Sequence, residues 1–315
     1  MKYIQELAEG NKMSGIYFVK SRIEATTKTG RTYLNCVLQD KTGLIDAKVW
    51  DVDSPAIADF AVYDYVDIVG DVSLFAGSLQ VAVRRLRVAQ PGEYNTADYM
   101  PCSRYSPADM YKQLMSNAEK VQNPYLKALI SRFFVEDEEF IKEFKACSAA
   151  KTIHHSFISG LLEHTMNVVR MCVIYSKLYP MLNYDLLITA AMFHDVGKLK
   201  ELSRFPANDY TDEGQLLGHI LIGAEMIHDA AKEIPGFPET LEDELKHCIL
   251  SHHGELEYGS PKKPALAEAV ALSLADLTDA RLETMRELLE STVHKEDWLG
   301  FNRIFESNIR KTTDV

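Results

Sequence analysis

The hydrophobic period of this chain changes once, and the change divides it. Between residues ~13 and 90, apolar and polar side chains roughly alternate in "GIYFVKSRIEAT", "RTYLNCVLQD", "GLIDAKVWD", "YDYVDIVGDVSLF" and "GSLQVAVRRLRVA". A period of two puts successive side chains on opposite faces of a strand, and these segments are rich in β-branched and aromatic residues. Thr29-Gly30, Lys41-Thr42-Gly43 and Ala76-Gly77-Ser78 supply turns between them. Five such strands predict a small closed barrel of the OB-fold type. From Ala108 onward apolar residues recur every three or four positions, the period of helices. Ser106-Pro107 and Asn123-Pro124 each read as an N-cap followed by a first-turn proline. The stretch between the two regimes, "AQPGEYNTADYMPCSRYSP" (89–107), carries three prolines and reads as a linker. The expected organisation is two-domain: an all-β barrel at 1–92, a linker and helical segment at 93–150, and an all-α bundle at 151–315.

At 315 residues and 46% hydrophobic content the chain can build both cores. No apolar run approaches the ~18–20 residues of a membrane span, and "MKYIQELAEGNK" lacks the apolar stretch of a signal peptide. Cysteines 36, 102, 147, 172 and 248 are scattered, with no C-x-x-C pair. Reduced thiols in a cytoplasmic protein are expected, rather than a disulfide framework or a cysteine zinc site. The formal charge of −12 is uneven. Residues 1–95 hold 11 of the 34 Lys and Arg and 12 of the 46 Asp and Glu, leaving 23 basic and 34 acidic residues for the rest. An acidic surface repels nucleic acid at long range, so a polyanionic substrate would need cations or a local basic strip.

All ten histidines except His294 fall between 154 and 253. His164 shares a helical stripe with Leu161, Val168, Met171 and Tyr175. The apolar run Leu186–Phe193 ends in His194 and Asp195, which align with Leu187, Ile188 and Ala191, and Gly197 reads as the terminator of that helix. His219 edges the stripe Leu216, Ile220, Gly223 and Ile227; His252, with His253 beside it, aligns with Leu245 and Ile249; Asp276 aligns with Ala269 and Ser273. One inward histidine is an ordinary core residue. Five helical segments that each turn a His or Asp inward call for a shared partner, and a metal ion supplies one. Neutral imidazole and carboxylate suit Mn, Fe, Co, Ni or Zn, and helix bundles build such sites from facing side chains. His164, His194, Asp195 and Asp276 would hold one ion. His219, His252 and His253 would hold a second, with Asp195 bridging. Two such ions can clamp an in-line displacement at phosphorus.

The order H…HD…H…HH…D over residues ~150–285 resembles the HD-domain metal-dependent phosphohydrolases. More narrowly, "HHSFISGLLEHT", "FHDVGKLKEL", "EGQLLGHI" and "LSHHGELEYGSPKKP" look like the bacterial YhaM-type 3′→5′ exoribonucleases, which also carry an N-terminal OB-type domain. The resemblance implies a helical HD domain, phosphodiesterase activity on single-stranded RNA with single-stranded DNA as a second substrate, and Mn²⁺ or a similar ion, one or two in number. Lys198 matches the Lys of H-D-x-G-K, and the implied role is to stabilise charge on phosphoryl oxygens, beside Asp195. His155 is expected at the scissile phosphate. Gly160 stands where some cyclic-dinucleotide enzymes carry a Glu, and "HHGELEYGSP" lacks their G-Y-P, which counts against that substrate.

An OB-fold offers a groove with aromatics for stacking and cations for phosphates. The residues expected there are Tyr17, Lys20, Arg22, Tyr33, Lys48, Trp50, Phe75, Arg85 and Arg87. The alternation of "VAVRRLRV" would put Arg85 and Arg87 on one face and Arg84 on the other. The expected reaction releases 5′-mononucleotides from the 3′ end of a single strand. A phosphohydrolase of small nucleotides and a non-catalytic nucleic-acid-binding protein associated with replication are the rival readings. A homo-oligomer is compatible with the sequence, and no membrane partner is expected.

Overall fold

A computed structural model describes residues 2–27, 29–75, 77–100, 102–151, 157–291 and 297–313. The chain divides into two units, Met1–Cys102 with Arg204–Ala207, and Ser103–Ser203 with Asn208–Val315.

Five strands form the first unit: β1 (Lys12–Thr26), β2 (Thr32–Asp40), β3 (Gly43–Val49), β4 (Tyr65–Phe75) and β5 (Ser78–Val88). They close into a barrel in the order β1-β2-β3-β5-β4, antiparallel except for β3 and β5, which run parallel. This is the topology of an OB-type Greek-key barrel. Closure depends on β1, whose first half pairs with β4 and whose second half pairs with β2. A bulge between Val19 and Ser21 marks the change of partner, because an extra residue bends a strand and increases its twist. Alternate residues fill the interior: Met13, Tyr17, Val19, Leu38, Ala47, Val66, Ile68 and Val81 are among those buried there.

Two expectations for the barrel need correction. Tyr17 is not on the surface: it is fully buried in the core and its hydroxyl donates to the Lys2 carbonyl at 2.6 Å. The arginines of β5 do not alternate either. Arg85 pairs with Val69 but Val83 pairs with Gly70, so Arg84 is an inserted residue and Arg84 and Arg85 are both exposed.

The second unit is helical: α1 (Pro107–Ala118), α2 (Pro124–Ser131), a π-turn at Arg132–Glu136, α3 (Glu138–Ala146), α4 (Gly160–Leu178), α5 (Tyr184–Phe193), α6 (Lys198–Glu201), α7 (Asp212–Lys232), α8 (Glu239–Leu250) and α9 (Ala267–Ser291). Ser106, Asn123 and Asn183 cap α1, α2 and α5 with side-chain oxygens. Every residue of α5 from Leu186 to Phe193 is buried, and the helix packs on α1, α2, α4, α8 and α9. Its apolar circumference is what a helix surrounded by others requires. Phe193, at its end, meets Phe133 and Phe134 edge to face at 5.2 and 5.3 Å. The bundle is followed by a hairpin, β6 (Trp298–Asn302) and β7 (Ser307–Arg310), where the sequence pattern had suggested helix to the end. Among the described residues no helix is long and apolar enough to cross a membrane.

Two glycines set the course of α7. Gly218 has φ +74° and breaks the helix, so the stripe expected through Leu216 does not hold: Leu216 lies exposed, while Ile220, Gly223 and Ile227 on the far side of the break are buried. Gly197 is not a left-handed terminator. It has helical φ and ψ ahead of α6, and a Cβ on it would lie 2.0 Å from the His219 carbonyl oxygen and 2.8 Å from the Gly223 amide nitrogen. The two segments approach backbone to backbone. Gly197→Ala must push α7 away and is expected to cost about 1–3 kcal/mol, the usual range for overpacking. Thermal unfolding checks this; an unchanged midpoint would show that the contact is not required.

Candidate metal centre

Five helical segments bring their polar side chains together. His164 comes from α4, His194 and Asp195 from the end of α5, His219 from just after the break in α7, His252 and His253 from the end of α8, and Asp276 from α9. His164 Nε2 lies 3.1 Å from His194 Nε2 and 3.1 Å from Asp276 Oδ1. Asp195 Oδ2 is 3.4 Å from both His164 Nε2 and His194 Nε2. Its other oxygen, Oδ1, is 3.4 Å from His219 Nε2 and 3.6 Å from His252 Nε2. The geometry gives two groups, His164–His194–Asp276 and His219–His252–His253, each with ligand atoms within 4.8 Å of one another. Asp195 touches both.

The outer nitrogens decide what the inner ones can do. His194 Nδ1 is 2.8 Å from the Ala191 carbonyl, His252 Nδ1 is 2.7 Å from that of Ile249, and His253 Nδ1 is 2.8 Å from that of Tyr258. His164 Nδ1 is 2.7 Å from Asp279 Oδ2. Glu201 Oε1 accepts from His219 twice, from Nδ1 at 2.9 Å and from the main-chain N–H at 3.0 Å. A carbonyl or carboxylate only accepts, so in each neutral ring the proton sits on Nδ1 and the Nε2 lone pair faces the cluster. Lone pairs then meet lone pairs and carboxylate oxygens. Asp195 Oδ1, His219 Nε2 and His252 Nε2 are buried without a hydrogen-bond partner. Such orphaned acceptors are costly, and a divalent cation satisfies all of them. With no thiolate in the set, the donors suit Mn, Fe, Co, Ni or Zn.

Burial opposes charge throughout the centre, and the neighbours decide the outcome. Burial would depress the His164 ring, but Asp276 and Asp279 outweigh it and raise it to about 10. Burial would raise Asp195, yet the Lys198 ammonium and the His194 ring hold it well below the carboxylate range. Lys198 Nζ is 2.7 Å from Asp195 Oδ2. Its pKa is raised because Asp195 outweighs desolvation. Burial, then His253 and His194, push His252 well below its usual value. A cavity of about 310 Å³ opens onto this centre, with His164, Lys198, His253 and Asp276 in its wall.

All seven expected ligands and Lys198 therefore lie in one centre. His155 lies outside the described residues. Asp279 and Glu201 were missed by sequence reasoning. Asp279 lies one turn beyond Asp276 and so on the same helix face, which was a usable signal. Glu201 has no spacing that ties it to His219; only the tertiary fold does.

On the barrel, Tyr33 stacks on Trp50 with centroids 4.8 Å apart, and Lys48 lies over Tyr33 at 5.9 Å while bonding Asn35. These four form one patch on β2 and the end of β3. Phe75 is 68% exposed at the β4–β5 tip, and Lys20 sits at the β1 bulge. Arg22 lies 5.2 Å over Phe60 and 3.7 Å from Asp59. Arg87 is engaged by Asp67 and bidentately by Glu93, so its charge is already matched within the barrel.

Two outcomes are expected. In the absence of an ion His164 is protonated at neutral pH, donating to Asp279 and Asp276, and a bound ion must displace the Nε2 proton. Because its pKa is raised to about 10, affinity for Mn²⁺ should rise by about tenfold per pH unit from pH 7 to 9. Calorimetry in buffers of different ionisation enthalpy would register the proton released; a pH-independent affinity would contradict the assignment. Glu201→Ala should weaken ion binding at His219–His252–His253 by roughly 10–100-fold and leave the other group intact, as read by titration with a spectroscopically active ion.

Residues 161–281 match the HD domain family. The chain is 33% identical over 296 residues to the 3′-5′ exoribonuclease YhaM of Listeria welshimeri, covering 92% of each. It is 35% identical over 282 residues to that of Bacillus subtilis, covering 89% of this chain and 88% of the relative. Among solved structures, the second OB-fold domain of replication protein A from Methanococcus maripaludis covers 29% of this chain and 96% of that one, at 19% identity and a TM-score of 0.24. With identities of 33–35% across about nine-tenths of both chains, this protein belongs to the YhaM family of 3′-5′ exoribonucleases.

Proposed function

We propose that this protein is a metal-dependent 3′→5′ exoribonuclease that hydrolyses single-stranded RNA, and single-stranded DNA as a second substrate, to 5′-mononucleotides. The observation that carries the reading is the cluster of buried, unpartnered acceptors around Asp195, which only a cation completes, placed beside a cavity lined by Lys198. His164, His194, Asp195 and Asp276 would hold one ion, and His219, His252, His253 and Asp195 a second. Mn²⁺ is the ion we favour, on the resemblance to the HD-domain phosphohydrolases, and the imidazole and carboxylate donor set accommodates it. A bound divalent ion supplies polarisation of the phosphoryl oxygen and a water acidic enough to attack at neutral pH.

The protein's own groups do the rest. The Asp195 carboxylate keeps the Lys198 ammonium charged despite burial, so a cation stands in the cavity wall as negative charge builds on the phosphoryl oxygens. Attack of water forms one P–O bond, and the bond to the 3′-oxygen of the penultimate residue breaks. The buried centre limits competing bulk water, which strengthens each of these electrostatic contacts. On the barrel, the Tyr33–Lys48–Trp50 patch and exposed Phe75 offer stacking surfaces and charge for a single strand. The five described cysteines are all free, which fits a reducing cytoplasm.

The test is a time course on single-stranded RNA labelled in its 3′-terminal nucleotide. Mononucleotides should accumulate with Mn²⁺ and cease with EDTA. Lys198→Met should lower kcat by about 10²–10³-fold, the usual effect of losing one charge-stabilising group, with Mn²⁺ binding retained. Internal cleavage products from the first time points would reject the exonuclease reading.

A further inference from the structure

The lining of the cavity at the centre divides by chemistry into a polar half, Lys198 with His164, His253 and Asp276, and a carbon-rich half, Leu277, Ala280, Tyr258, Ala149 and Ala150. Tyr258 is 54% exposed, an unusual position for a large aromatic beside a charged site. Its main chain is held firmly. Its N–H donates to the Glu255 carbonyl at 3.1 Å, its own carbonyl accepts from His253 Nδ1 at 2.8 Å, and Gly259 follows it at φ +94°. The backbone of Tyr258 thus orients a histidine of the centre, while the side chain lines the cavity and packs into no core cluster of the described residues.

We infer that Tyr258 is the platform on which the 3′-terminal nucleobase stacks, so that the cavity takes one terminal nucleotide with its phosphate at the Lys198 half. This deepens the exoribonuclease reading and rests on it. At about 310 Å³ the cavity falls within the ~300–1,000 Å³ range of ligand pockets, room for a terminal nucleotide. The half that would receive the base offers aliphatic carbon, an aromatic face and one phenol. It has no fork of donors and acceptors to read a base edge among the described residues. An aromatic face accepts any base, because every base has a π-face, and Leu277 and Ala280 stand on α9 directly after Asp276 and one turn beyond its neighbour. The site would therefore degrade strands irrespective of terminal base and release a single nucleotide per cleavage.

The experiment uses the full-length protein and an oligouridylate ending in 2-aminopurine, its terminal linkage replaced by a non-hydrolysable analogue. Binding to the wild type should quench the fluorophore, and the signal of a fluorophore placed ten residues upstream should be the same in the wild type and the Tyr258 variants. Tyr258→Phe should keep the quench. Tyr258→Leu and Tyr258→Ala should lose it and raise KM on cleavable RNA by roughly 5- to 150-fold, the range base–aromatic stacking gives on substitution, with kcat changed far less. Bound Mn²⁺ should be unchanged in all three, since the Tyr258 carbonyl remains. A quench and KM retained in Tyr258→Leu would overturn the proposal, as would equal losses in Tyr258→Phe. A wild type that quenches terminal 2-aminopurine but releases no nucleotide would sink the exonuclease reading and leave the base platform standing.

Discussion

The structure is organised around a conflict of lone pairs. Nε2 atoms of His194, His219 and His252 face the two oxygens of Asp195 at 3.4–3.6 Å, and a neutral ring has no proton to offer there. Nothing in a folded chain gathers so many acceptors for their own sake. His194 and His252 are fixed from behind by main-chain carbonyls, as is His253 beside them, and His219 is fixed by Glu201. Those carbonyls belong to helix ends, where unused acceptors are available. For His194, His252 and His253 the position at a helix terminus is therefore part of the chemistry: the same place that supplies the ligand supplies the group that orients it.

Much of this was legible in the sequence. The alternation of β1–β5, the Ser106 and Asn123 caps, and the run Leu186–Phe193 feeding into His194-Asp195 are local patterns, and local patterns are what periodicity reports. The convergence of His164, His194, Asp195, His219, His252, His253 and Asp276 followed from the improbability of so many inward polar groups without a partner. The family resemblance supplied the reaction, which the ligand inventory alone would have left as phosphoryl chemistry of unspecified substrate.

The failures have a common physical origin. Leu216 was assigned to a buried stripe because Gly218 looks like any helical glycine until its φ of +74° is seen. Arg84 and Arg85 share exposure because one inserted residue resets the alternation of a strand. Tyr17 reads as a stacking residue, yet the barrel needs a large side chain in its core. The β6–β7 hairpin has five and four residues per strand, too few to show a period. Glu201 is invisible because its partner lies 18 residues away across a loop. In each case the deciding fact is a single backbone angle, an inserted residue or a tertiary contact, none of which leaves a repeat.

The origin of the ligands on five helices makes the centre a cross-link as well as a reaction site. α4, α5, α7, α8 and α9 are separate elements, and α5 packs on α4, α8 and α9. An ion held at Asp195 would join all five through one point. Any ligand that binds the native state and not the unfolded chain stabilises by mass action, about 2.7 kcal/mol at a hundredfold excess over Kd. Metal supply would then govern how long the enzyme survives as well as how fast it works, and a cell short of the ion would lose the protein's rigidity along with its turnover.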